Sequence, residues 1–254
     1  MKETPPMGMN RTGIQMSPFD STKMQSVSSA TPATPLSEDT AYSAIRNAYI
    51  SAADPIGSVP LPGSATGMLT SGIEAVIGNN PKIFIDKLGE RLAFERTGTR
   101  MYDALIAKFE AASEHDTTSI TLADLQRLRG DEARHFGLLV QAIDTLGADP
   151  TAETPAADLA GVESLGLVKV VSDPRTTLTQ SLHAILIGEL ADNAGWDLLI
   201  ALAREQRQSA MADEFTSALQ EEQEHLQLIQ RWYQEAILGE PLESPRDIVP
   251  PLRH

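Results

Sequence analysis

The sequence predicts an all-α protein built on a four-helix bundle, and three observations carry that prediction. From residue 81 to about 240, apolar residues recur at helical spacing in four stretches of about 25–35 residues, longer than the average globular helix. Strand-like alternation is missing apart from the short run "GLVKVV" at 166–171. The stretches are separated by turn signals at two short connections and one long one, the pattern of two helical hairpins joined by a crossover.

Each helix has start and stop signals. The first spans about 82–113, opened by Pro81 and ended near "SEHDTTS". The second spans about 121–147, led by Thr121 as its cap and stopped by "GADP". The third, about 174–206, has Asp173 as cap and Pro174 in its first turn, and the fourth, about 208–238, ends at Gly239 and Pro241. The connection between second and third is about 26 residues, enough to cross the bundle lengthwise in an up-down-down-up arrangement.

Residues 1–80 form an irregular extension holding eight of the sixteen prolines. The stretch "MSPFDSTKMQSVSSATPATP" has no usable period and reads as disordered or surface-wrapping. One short helix is expected at "SEDTAYSAIRNAYISAA", with Ser37 as cap, and another ending near Gly78. The domain division is therefore 1–80 for the extension, 81–240 for the bundle and 241–254 for an extended tail.

A net charge of −15 and a pI near 4.7 argue against nucleic-acid or anionic-membrane partners and suit the attraction of small cations. With no cysteine, disulfides, thiolate zinc sites and iron–sulfur clusters are excluded. No apolar run reaches membrane-spanning length and the start has no apolar signal region, so a cytoplasmic protein is expected.

The informative residues are charged ones in core positions. In the fourth helix Phe215, Leu219, Leu226, Ile229 and Tyr233 form the buried stripe, and Glu222 and His225 fall on it. In the second helix Glu132 and His135 interrupt Leu125, Leu128 and Leu139. Glu95 in the first helix and Glu189 in the third occupy the same kind of seam position. The halves align with each other: "ERTGTRMYDALIA" from Glu95 matches "ELADNAGWDLLIA" from Glu189, pairing Tyr102 with Trp196 and Asp103 with Asp197. Four unpaired carboxylates in a bundle core would cost several kcal/mol each or stay protonated. Two divalent metal ions balance them in charge, and the Glu/His donor set suits iron, and after it manganese, better than closed tetrahedral zinc.

Glu95, Glu132-x-x-His135, Glu189 and Glu222-x-x-His225 together resemble the ferritin-like di-iron carboxylate superfamily, over residues from about 82 to 238. The resemblance implies a ferritin-like four-helix bundle with Glu95 and Glu189 as terminal ligands, Glu132 and Glu222 as bridging ones, and one histidine for each metal. Tyr102, seven residues after Glu95, falls where such proteins often carry a redox-active or second-layer tyrosine. Core packing is the plainer role for Tyr102 and Trp196. Asp192 reads as an extra ligand or hydrogen-bond acceptor, or as a solvated side chain. Asp103 and Asp197 are candidates to orient the histidines. Arg91 and Arg134 lie close to ligand positions and could pair with ligand carboxylates, a surface role being the plainer reading; Glu221 and Glu224 read as solvated residues, and His115 and His183 receive no role.

The resemblance implies redox chemistry with dioxygen or hydrogen peroxide, as an oxidase or peroxidase with an unidentified reductant or small-molecule substrate. A ferroxidase or iron-storage protein is the alternative, and a metal-free structural bundle the third reading. The proline-rich end "GEPLESPRDIVPPLRH" and the long extension argue against a storage cage, leaving a monomer or homodimer.

Overall fold

The computed structural model describes residues 18–30, 37–60, 81–112 and 119–239. All regular elements among them are α-helices. The chain divides into two compact units, one of which, Thr4–Ile56, contains α1 (Pro18–Ala30) and α2 (Ser37–Ala52). Helix α1 lies in the stretch expected to lack regular structure, and its described side chains are largely exposed. Helix α2 is amphipathic, with Ile45 and Tyr49 on one side. The expected helix near Gly78 and the tail at 241–254 lie outside the described residues.

Among the described residues the second unit holds five helices: α3 (Pro81–Ala111), α4 (Leu122–Thr145), α5 (Pro155–Ser172), α6 (Leu178–Glu205) and α7 (Ser209–Leu238). Helices α3, α4, α6 and α7 form a helical bundle, and their residue pairings give the directions. Asp103 of α3 faces Arg129 of α4, while Glu95 faces His135, so α4 runs antiparallel to α3. Arg91 meets Asp192 and Tyr102 meets Glu189, so α6 is also antiparallel to α3. Asp131 and Arg134 of α4 meet His225 and Glu221 of α7, which makes that pair antiparallel.

The crossover is helical. Thr154 caps α5 by accepting a bond from the Ala157 N–H, and Pro155 opens it, so "GLVKVV" is the end of a helix and no strand. Lys108 Nζ donates to the carbonyls of Asp173 and Thr176 at 2.8 and 2.7 Å, tying the end of α3 to the α5–α6 turn. Because α5 starts beside Asp86 and ends beside Lys108, it runs parallel to α3 and delivers α6 at the opposite end. The true cap of α6 is Thr177, in a capping box with Gln180. Asp173, expected as that cap, instead ends α5 and pairs its carboxylate with Arg175. Gly239 ends α7 at a positive φ of 76°, a conformation glycine adopts without strain. No helix among the described residues is long and apolar enough to cross a membrane.

Two apolar clusters fill the bundle above and below its middle. One centres on Phe84, Leu88, Leu139, Trp196 and Phe215, the other on Tyr102, Leu125, Leu128, Leu182, Ile185 and Trp232. The seam glutamates and histidines lie between them.

Candidate metal centre

Glu95 of α3, Glu132 and His135 of α4, Glu189 of α6, and Glu222 and His225 of α7 are all buried, none more than 4% exposed. One helix brings each Glu-x-x-His pair to a common face, because residues three apart are neighbours on a helix surface. The antiparallel packing then makes the four helices converge. Donor atoms of Glu132, Glu189, Glu222 and His225 lie within 4.8 Å of one another, as do those of Glu95, His135 and Glu222, and those of Glu95, Glu132, Asp192 and Glu222. Glu222 belongs to all three groups.

Both imidazoles aim Nδ1 at the middle. His135 Nδ1 is 2.6 Å from Glu222 Oε1 and 3.9 Å from Glu95 Oε2. His225 Nδ1 is 3.1 Å from Glu222 Oε2, 3.8 Å from Glu132 Oε1 and 4.0 Å from Glu189 Oε2. These are close contacts with poor hydrogen-bond angles. Both carboxylate oxygens of Glu95 and of Glu222, Glu189 Oε2 and both Nδ1 atoms are buried without a hydrogen-bond partner. Such atoms are costly unless an ion takes them, and inward-facing carboxylate and imidazole lone pairs are what a divalent metal requires. The residues present are therefore of the right kind and spacing to hold a metal ion.

The outward nitrogens are anchored, which holds the ring orientation. His225 Nε2 is 3.1 Å from Asp131 Oδ2, and His135 Nε2 is 2.8 Å from Glu221 Oε2. Both partners directly precede a ligand glutamate on the facing helix, as in "DEARH" and "EEQEH". This corrects two readings. Glu221 is a histidine partner as well as a half-exposed residue, and Asp103 and Asp197 lie exposed, Asp103 paired with Arg129 at 2.9 Å. Arg134 bridges the same two acids, contacting Asp131 and Glu221, so its role is more than a surface one.

Arg91, read as a surface residue, is only 5% exposed. Its Nη2 is 2.8 Å from Asp192 Oδ1, Nη1 donates to the Asp192 carbonyl at 3.2 Å, and Nε is 3.4 Å from Glu95 Oε1. The Asp192 contact is an ion pair whose angles fall short of a hydrogen bond. Asp192 is buried, which rules out the solvated reading.

Tyr102 is buried and its hydroxyl donates to Glu189 Oε1 at 2.5 Å. Trp196, its counterpart in the repeat, packs edge-on against His135 with ring centroids 5.5 Å apart and against Phe215 at 5.4 Å. Gly98 is needed for space: a Cβ there would sit 2.0 Å from Glu132 Oε2. Beside it a cavity of about 20 Å³, lined by Phe94, Gly98, Met101, Ile185 and Gly188, borders Glu132 and Glu189. His183 stacks on Tyr233 on the outer face, away from the centre, and His115 lies outside the described residues.

Burial is the main reason that Glu95, Glu189 and Glu222 are held well above the usual carboxylate range. Asp192 adds to the rise for Glu95 and Glu222, and Glu222 for Glu189. Burial also raises Glu132, opposed by His225. Burial alone would lower His225, but the Asp131 carboxylate at Nε2 and the Glu132 and Glu222 carboxylates near Nδ1 push it well upward. Burial would raise Asp131, yet the bonds from His225 and Arg134 lower it to about 2. Burial and the adjacent Glu189 push Tyr102 up, so it stays a neutral donor.

Comparison with protein-family models, with curated proteins and with solved structures found no match for this chain.

Proposed function

We propose that the bundle is a ferritin-like dinuclear metalloprotein that carries out redox chemistry with dioxygen or hydrogen peroxide as an oxidase or peroxidase. The observation that carries this reading is the set of buried, partnerless carboxylate oxygens and inward Nδ1 atoms shared by four helices. Glu95 and His135 would hold one ion, Glu189 and His225 the other, with Glu132 and Glu222 between them. Two iron ions, or manganese in place of one or both, supply one-electron steps at a common small oxidant.

The chain's own residues prepare that chemistry. Asp131 and Glu221 fix both imidazoles so that Nδ1 points inward. The Tyr102 hydroxyl holds a proton against Glu189 Oε1, the carboxylate that would serve one of the ions. The flanking apolar clusters exclude bulk water. The cavity beside Gly98 borders Glu132 and Glu189 and has room for about one water-sized molecule, so a small oxidant could reach the carboxylates there.

The test is anaerobic loading with ferrous iron followed by dioxygen or hydrogen peroxide in a stopped-flow spectrometer. Rapid oxidation of about two irons per chain is expected, lost in Glu222→Ala. A chain that binds two metals and consumes neither oxidant would refute the redox assignment while leaving the metal centre intact.

A further inference from the structure

The two halves of the centre are related by the internal repeat, and the relation fails at one place. Aligning Glu95 with Glu189 places Arg91 opposite Ile185, Asp192 opposite Gly98 and Gly195 opposite Met101. One side of the α3–α6 contact therefore holds a buried cation–carboxylate pair, Arg91 from the first repeat and Asp192 from the second, and the symmetry-related positions hold Ile185 and Gly98, with Met101 where Gly195 stands. The room for the cation is built in. A Cβ on Gly195 would sit 2.0 Å from Arg91 Nη1, and the guanidinium lies over the Phe94 ring at 4.1 Å.

A guanidinium out of water needs a compelling partner arrangement. Four seam glutamates balance two divalent ions, and Asp192 is a fifth buried acid among them, with Arg91 as its matching charge. Arg91 also reaches Glu95 Oε1 at 3.4 Å, the acid that would serve the ion held by His135. Among the described residues no arginine or lysine pairs with the Glu189 carboxylate, whose neighbours are the Tyr102 hydroxyl and, at 4.0 Å, His225 Nδ1, the counterpart of His135 beside Glu95.

We propose that Arg91 makes the two metal positions unequal: it shares Glu95 and repels the ion beside it, so that the Glu189–His225 position fills first and the Glu95–His135 position second and more weakly. The inference rests on the dinuclear centre proposed above. It names Arg91 as a positioning residue that acts through Glu95 and Asp192, and it makes ordered loading a property of this chain.

The experiment is an anaerobic titration of metal-free full-length protein with manganese(II), reading free ion by electron paramagnetic resonance. Two binding steps about tenfold apart are expected, because the Arg91 guanidinium, although paired with Asp192, also lies 3.4 Å from Glu95 Oε1, and the part of its charge left uncancelled there is worth about that much in a partly shielded interior. Glu95→Gln should delete the weaker step and Glu189→Gln the tighter one. Arg91→Met should shrink the gap to about threefold or less, and Arg91→Lys, which keeps the charge, should restore it. Should Arg91→Met not fold, the charge-neutral pair Arg91→Met with Asp192→Asn reads the same gap and should also close it. Equal steps in the parent protein, a Glu95→Gln variant that loses the tighter step, or a gap unchanged without Arg91 would overturn the proposal. No manganese bound at all would instead overturn the dinuclear centre.

Discussion

Glu222 touches both histidines and belongs to each cluster of donor atoms, so its loss should be felt at both metal positions. Glu222→Ala is expected to take bound metal from about two ions per chain to none, read by elemental analysis, whereas Glu95→Ala should leave about one. Gly98→Ala should act through space alone: its Cβ meets Glu132 Oε2, so metal affinity should fall tenfold or more, at about 1–3 kcal/mol of lost stability. An alanine variant with unchanged affinity would mean that Glu132 is not held there. The convergence of the six candidate ligands was legible in the sequence because a glutamate or histidine on an apolar seam is a chemical anomaly. Asp131 and Glu221 were not, because each sits one residue before a ligand and off the stripe. The repeated acid in front of each Glu-x-x-His was the available signal. Arg91, four residues before Glu95, reads as an ordinary helix-surface pair, and only Gly195 on another helix makes room to bury it.

Helix α5 shows where local patterning misleads. Its apolar residues lie on several sides, so "GLVKVV" carries no helical stripe, and Gly161 and Gly166 weaken helix propensity. Tertiary contact settles its state. Gly89 of α3 lets Thr154 approach so closely that a Cβ would lie 2.5 Å from Thr154 Oγ1, and Asp86 Oδ1 accepts from the Ala156 N–H at 2.9 Å. Gly89→Ala should therefore push the start of α5 off α3, costing about 1–3 kcal/mol in thermal or denaturant melts while leaving metal stoichiometry intact. A similar confusion misplaced the start of α6. Asp173-Pro174 is a good cap signal, but the Thr177–Gln180 box lies one turn later and satisfies two backbone donors. Thr121 was legible because the helical apolar spacing starts directly after it, and Gly239 because Pro241 follows it closely.

For the whole molecule, the buried acids link folding, metal and pH. Without metal, Glu95, Glu189 and Glu222 and the His225 imidazole bind protons more tightly folded than unfolded. Their stabilisation is complete below the usual carboxylate range and lost as pH rises through the raised folded values. Asp131 has the opposite sign: its contribution is present above its ordinary value of 3.8 and lost as pH falls towards about 2. The metal-free protein should accordingly melt at lower temperature at about pH 8 than at about pH 5. Manganese(II) should remove that slope, because the ions replace the protons. A melting temperature of the metal-free chain that rises over this interval would contradict the assignment of the centre. Solution mass separates the remaining classes, since an assembly of many copies favours iron storage and a monomer or dimer favours the enzyme.

The most direct measurement is anomalous diffraction from crystals of the protein loaded with iron or manganese. Two metal peaks about 3.5–4 Å apart are expected between α3, α4, α6 and α7, one beside His135 Nδ1 and the other beside His225 Nδ1. A single peak, or none among these six side chains in protein that carries metal by elemental analysis, would contradict a dinuclear centre.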